Sequence, residues 1–107
     1  MNSTDMASAC VFLMTMSDQK FTELANPAVC PLINIGVGHD VTIGELAGLV
    51  SEVVGYKGQI VFDETKPDGT FRKLMDCSKL TSLGWKYSIE LKQGLALAYE
   101  SYLNKGK

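Results

Sequence analysis

The octapeptide Lys66-Pro-Asp-Gly-Thr-Phe-Arg-Lys73 gathers residue types suited to gripping an anion. Pro67 presets φ and Gly69 tolerates positive φ, so a Pro-Asp-Gly turn fixes the direction of the backbone. The strand-like residues after the turn would aim Arg72 and Lys73 to opposite sides. A guanidinium takes phosphate oxygens through two parallel N–H donors and an ammonium acts as a point charge, so the pair suits a phosphorylated ligand. The same stretch also reads as a solvated charged loop in which Lys66, Arg72 and Lys73 pair with Asp63, Glu64, Asp68 or Asp76. Composition alone favours that second reading.

Other candidate chemistry is thinner. Gly36-Val-Gly-His-Asp40 lies between an apolar run and a helical pattern, where phosphate-cradling glycine loops occur, but it lacks their third glycine and their Lys-Ser/Thr pair. It reads as a tight connection. His39, the sole histidine, sits there beside Asp40; a general base needs an orienting partner and a substrate cavity, and without them His39 reads as a solvated loop residue. No Gly-x-Ser-x-Gly elbow, His-Glu-x-x-His pair or Asp-x-Asp calcium loop occurs, which leaves hydrolase and metal chemistry without residues. Tyr-x-x-x-Lys is absent as well. Cys10, Cys30 and Cys77 are odd in number and show no Cys-x-x-Cys spacing, so they predict neither a disulfide framework nor a zinc site and read as small buried apolar residues.

The elements that must position the basic pair fit one domain of 107 residues, with 46% apolar residues, 21% charged residues and a net charge of -2. That balance gives no general attraction to nucleic acid. The longest apolar run, Ala7 to Met16, is far shorter than the ~20 residues that span a bilayer, and Asn2-Ser-Thr-Asp5 stands where a secretory signal would be basic. The expected setting is cytoplasmic, with no membrane partner.

Thr4-Asp5 is expected to cap a helix from Met6 to Met16, apolar on nearly every face and wanting burial on more than one side. A polar loop through Asn26-Pro27 then leads to a short strand, Leu32 to Ile35. Thr42-Ile-Gly-Glu45 fits a capping box, and Ile43, Leu46, Ala47, Val50, Val53 and Val54 form one helical stripe that Gly55 ends. Gln59 to Phe62 reads as a second strand, Ser78 to Gly84 as a two-turn helix, and Leu91 to Leu103 as a last helix with Leu91, Leu95, Ala98, Tyr99 and Tyr102 on one face. The order predicts an α/β arrangement, yet two strands make a poor independent sheet.

Several of these stretches are familiar. "DMASACVFLM", "INIGVGHDVTIGELAGLVSEVVGYKGQIVFD", "KPDGTFRKLMD" and "SKLTSLGW" together resemble the C-terminal third of the GDP-L-fucose synthases, NADPH-dependent 3,5-epimerase/4-reductases of GDP-4-keto-6-deoxy-mannose in the extended short-chain dehydrogenase/reductase superfamily. The most specific parts are "DVTIGELA", "GYKGQIVFD" and the Lys-Pro-Asp-Gly-Thr-x-Arg-Lys turn. The resemblance implies a small substrate-binding lobe, residues 1–107, of helices and a few short strands, with the Rossmann domain absent.

It also implies that Asp68, Arg72 and Lys73 lie against the GDP portion of a sugar nucleotide, Lys73 first among them at the diphosphate, which reverses the preference for a solvated loop. Phe71 stands where such proteins commonly carry proline. The nucleotide-binding glycines, the Ser-Tyr-Lys set and the epimerising Cys and His of that family have no counterparts here, so NADPH is expected in the complete enzyme and not in this chain. The chain alone is expected to be inactive, to bind GDP-sugar weakly, and to form a homo-oligomer that covers surfaces left by the missing domain. A stand-alone interaction module, or the lobe of another nucleotide-sugar epimerase or dehydratase, is the alternative.

Overall fold

The computed structural model describes residues 1–105, and they form five helices: α1 Ser3–Met14, α2 Asp18–Leu24, α3 Ile43–Val54, α4 Ser78–Ser82 and α5 Leu91–Lys105. They divide into two compact units, Met1–Gly38 with Met75–Ile89, and His39–Leu74 with the segment from Glu90 onward.

In the first unit the core is Ala9 of α1, Leu80 of α4 and Trp85, with Phe12, Leu13, Ile33, Ile35 and Tyr87 packed around them. Trp85 can be buried because its indole N–H has a partner, donating to Ser8 Oγ at 3.2 Å. The entry to α1 differs from the expected one. Asn2 is the cap, its Oδ1 accepting from the Thr4 N–H at 2.9 Å, and the helix begins at Ser3, ahead of the expected start at Met6. Asp5 is thereby released from capping and is 2% exposed, accepting from Ser88 N, Ser88 Oγ and Ile89 N at 3.0, 2.8 and 3.0 Å. Burial would push its carboxyl up, but these donors outweigh that effect and hold it below the ordinary carboxylate range.

Three expectations for this unit fail. The stretch before Asn26 is not a loop throughout: Ser17 Oγ accepts from the Lys20 N–H and opens α2. α1 is not buried on several sides, since Met6, Cys10, Val11 and Met14 are exposed. Nor are the cysteines uniformly buried: Cys77 is, whereas Cys10 and Cys30 are exposed.

The α/β expectation is corrected too, because no strand forms among the described residues. A strand exists only through ladder hydrogen bonds to a neighbour, and neither Leu32–Ile35 nor Gln59–Phe62 finds one. The 30–34 segment is held instead by side chains: Lys79 Nζ donates to the carbonyls of Cys30 (2.8 Å) and Leu32 (3.2 Å), and Asn34 Nδ2 donates to that of Asp76 (3.1 Å).

In the second unit α3 packs on α5, and Lys92 of α5 forms an ion pair with Glu52 of α3. α3 follows its sequence signals closely. Thr42 Oγ1 accepts from the Glu45 N–H at 3.1 Å, the Glu45 carboxylate accepts from the Thr42 N–H at 2.7 Å, and Gly55 ends the helix at φ 71°.

Candidate ligand-binding site

The stretch 63–74 carries no regular secondary structure, so its shape rests on local hydrogen bonds and one ion pair. Asp63 starts it: Oδ1 accepts from the Thr65 N–H at 3.0 Å and from the Thr65 hydroxyl at 2.6 Å, an arrangement that closes a tight turn and holds the Asp63 carboxyl below its ordinary range. At the other end Arg72 reaches the short connection that precedes α3. Its Nε donates to Asp40 Oδ2 at 2.7 Å and its Nη2 to Asp40 Oδ1 at 3.0 Å, a two-pronged contact across 32 residues of chain. These hydrogen bonds hold the Asp40 carboxyl low and raise the Arg72 guanidinium.

Asp40 lies two residues before Thr42, and the capping box fixes Thr42 to the first turn of α3. The ion pair therefore ties the loop to the best-anchored helix end of this unit. Asp68 and Lys73 are exposed and, among the described residues, neither has an ion-pair partner. Phe71 is fully exposed. Arg72 is thus paired, though not with any of the four acids near it in sequence. The grooves beside α2, one of them lined by Lys20, Glu23, Val29, Lys79, Ser82 and Leu83, contain none of Asp68, Arg72 and Lys73.

The residue missed from sequence is Asp40. No local signal marks it as the partner of Arg72, because side-chain pairing over that separation is set by the fold. The glycine loop that it ends leads into a helix start already occupied by an acid. The Glu45 N–H at the start of α3 is taken by Thr42, and the Glu45 carboxylate sits over the same turn, where it would repel a phosphate.

No family model matches the chain. Individual proteins do. GDP-L-fucose synthase of Escherichia coli is 46% identical over 92% of this chain, and GDP-L-fucose synthase 1 of Arabidopsis thaliana is 50% identical over 92%. The chain is a relative of the GDP-L-fucose synthases. It spans only 30% and 28% of those two proteins, at their C-terminal end.

Solved structures agree with the helical arrangement. A GDP-6-OMe-4-keto-L-xylo-heptose reductase from C. jejuni matches at TM-score 0.86 and 41% identity, over 98% of this chain and 30% of its own. A GDP-D-glycero-L-gluco-heptose synthase from Campylobacter jejuni, solved in the presence of NADPH, matches at TM-score 0.81 and 40% identity, over 96% of this chain and 29% of its own. NADP is bound in a third, a GDP-mannoheptose C4 reductase. At the start of α3 the Thr42 and Glu45 N–H groups are already taken, by the Glu45 carboxylate and the Thr42 hydroxyl, and that carboxylate stands where the pyrophosphate of such a cofactor would have to sit. Among the described residues there is also no cluster of three or more metal-ligating side chains, and no helix is long and apolar enough to cross a membrane.

Proposed function

We propose that this chain is the substrate-binding portion of a GDP-sugar epimerase/reductase of the GDP-L-fucose synthase type, with Asp68, Arg72 and Lys73 contacting the GDP moiety. The observation that carries this reading is the shaped basic loop. Arg72 is fixed on Asp40, Asp63 closes the opposite end on Thr65, and Asp68 and Lys73 are left exposed on the segment between or beside them. Lys73 supplies a point charge to the diphosphate, and Arg72 adds geometrically specific donors. Asp68, a carboxylate acceptor, suits hydroxyl or amino groups of the nucleoside.

In this reading the complete enzyme binds NADPH, epimerises GDP-4-keto-6-deoxy-mannose at C3 and C5, and reduces C4 by hydride transfer. When bound, the cofactor supplies the hydride. The residues of this chain orient the sugar nucleotide through its diphosphate and do not take part in bond making. A homo-oligomer also belongs to the proposal: Val11 is 58% exposed and Met14 85% on the apolar α1, and a second copy covering that face would remove them from water.

Competition among GDP, UDP and dTDP for the chain, followed by calorimetry, tests the nucleotide assignment. Preference for GDP supports it. Equal heats with all three favour the lobe of another nucleotide-sugar enzyme, and no heat with any favours an interaction module.

A further inference from the structure

An arginine has five N–H donors in a fixed plane, and how they are divided decides what it can still bind. In this chain Asp40 takes one edge of the Arg72 guanidinium, the edge formed by Nε and Nη2. Nη1 and the remaining hydrogen of Nη2 form the other edge, which the Asp40 carboxylate leaves untouched. The Arg72 side chain keeps 60% of its surface exposed, so that second edge is open to solvent. A carboxylate that merely neutralised the arginine would compete with any other anion. One that binds edge-on leaves a second edge turned outward at a defined angle.

We infer that Asp40 is a positioning residue for ligand binding: it fixes the plane of the Arg72 guanidinium through the Nε/Nη2 edge, so that the Nη1/Nη2 edge meets a phosphate oxygen of the bound nucleotide. The inference rests on the reading of the 66–73 loop as a GDP-sugar site and adds a residue that lies outside that loop. Two features make Asp40 suitable. It stands two residues before the capping box of α3, so the carboxylate is attached to backbone that does not drift with the loop. Its two oxygens each take a separate Arg72 nitrogen, which defines the guanidinium plane as a single contact would not. An ordered guanidinium loses less side-chain freedom when it meets phosphate, and that saving appears as affinity.

The test uses the 107-residue chain with GDP as the probe, and compares wild type, Asp40→Asn, Arg72→Ala and the double variant by calorimetry, with the Arg72 Nε–H followed by NMR. Asp40→Asn keeps the shape of the side chain and removes the charged acceptor. The inference predicts that the Arg72 Nε–H loses its exchange protection in Asp40→Asn and that GDP binds on the order of tenfold more weakly, a change of about one charge-assisted hydrogen bond. In the Arg72→Ala background Asp40→Asn should change GDP affinity no further. A merely structural role would lower affinity to the same degree in both backgrounds and would overturn the inference. Undiminished binding by Asp40→Asn would also overturn it while leaving the loop reading intact. Failure of GDP to bind or shift any loop resonance in the wild-type chain would instead remove the loop reading, and the inference with it.

Discussion

Asp5, in the first turn of α1, accepts hydrogen bonds from the backbone of Ser88 and of Ile89, so one carboxylate joins the beginning of the first unit to its last segment. The Ser88 hydroxyl completes the set. A buried carboxylate is tolerated only when its oxygens are met by donors, and here both oxygens are.

Asp5→Asn should therefore lower the thermal midpoint clearly, because an amide presents N–H groups to backbone donors that need acceptors. The wild type should itself be acid-sensitive. The folded-state pKa of Asp5 is depressed, so its contribution is complete above the ordinary Asp value of about 4 and is lost as pH falls through the lower folded-state value. Thermal melts from pH 7 downward should show the gap between wild type and Asp5→Asn closing below about pH 4. A gap that stays constant across that range would contradict this account.

Gly36 has no room for a side chain. A Cβ there would lie 2.9 Å from Cys77 Sγ and 3.4 Å from Met75 Cε. Since Cys77 is buried and cannot swing out freely, Gly36→Ala should cost about 1–3 kcal/mol in urea unfolding. Adding Cys77→Ala should recover part of that loss, which makes the two substitutions less than additive.

The cap of α3 can be checked separately. Thr42→Ala leaves the Glu45 N–H without its acceptor and should cost about 1 kcal/mol. Amide exchange should quicken first in the opening turn of α3 and spare the Ala9–Leu80–Trp85 core.

Exposure of Val11 and Met14 leads to an expectation for association. Sedimentation velocity at micromolar concentration should give a dimer or larger species, and Met14→Glu should shift it towards monomer by placing a charge on the covered face. A folded wild-type monomer under those conditions would refute the association.

What the sequence made legible were the elements whose signals are local. The capping box, the stripe and Gly55 locate α3 closely, and the Ser78–Gly84 and Leu91–Leu103 readings fall within a few residues of α4 and α5. Elements that depend on a distant partner were not legible. "INIG" and "QIVF" have strand composition but find no neighbour to pair with among the described residues, and composition cannot supply one. α2 escaped because seven residues with Phe21 and Leu24 as their only large apolar side chains carry too little periodicity, leaving Ser17 as its one signal. At the site, the residue types of the 66–73 loop could be read directly. The Asp40–Arg72 pair could not, since sequence offered four nearer acids as partners.

Titration of the wild-type chain and of Lys73→Ala with GDP tests the central claim most directly. The account predicts measurable heat for the wild type and an affinity reduced about tenfold or more in Lys73→Ala, as expected for the loss of a charged contact to phosphate. Equal binding by the two proteins would contradict it.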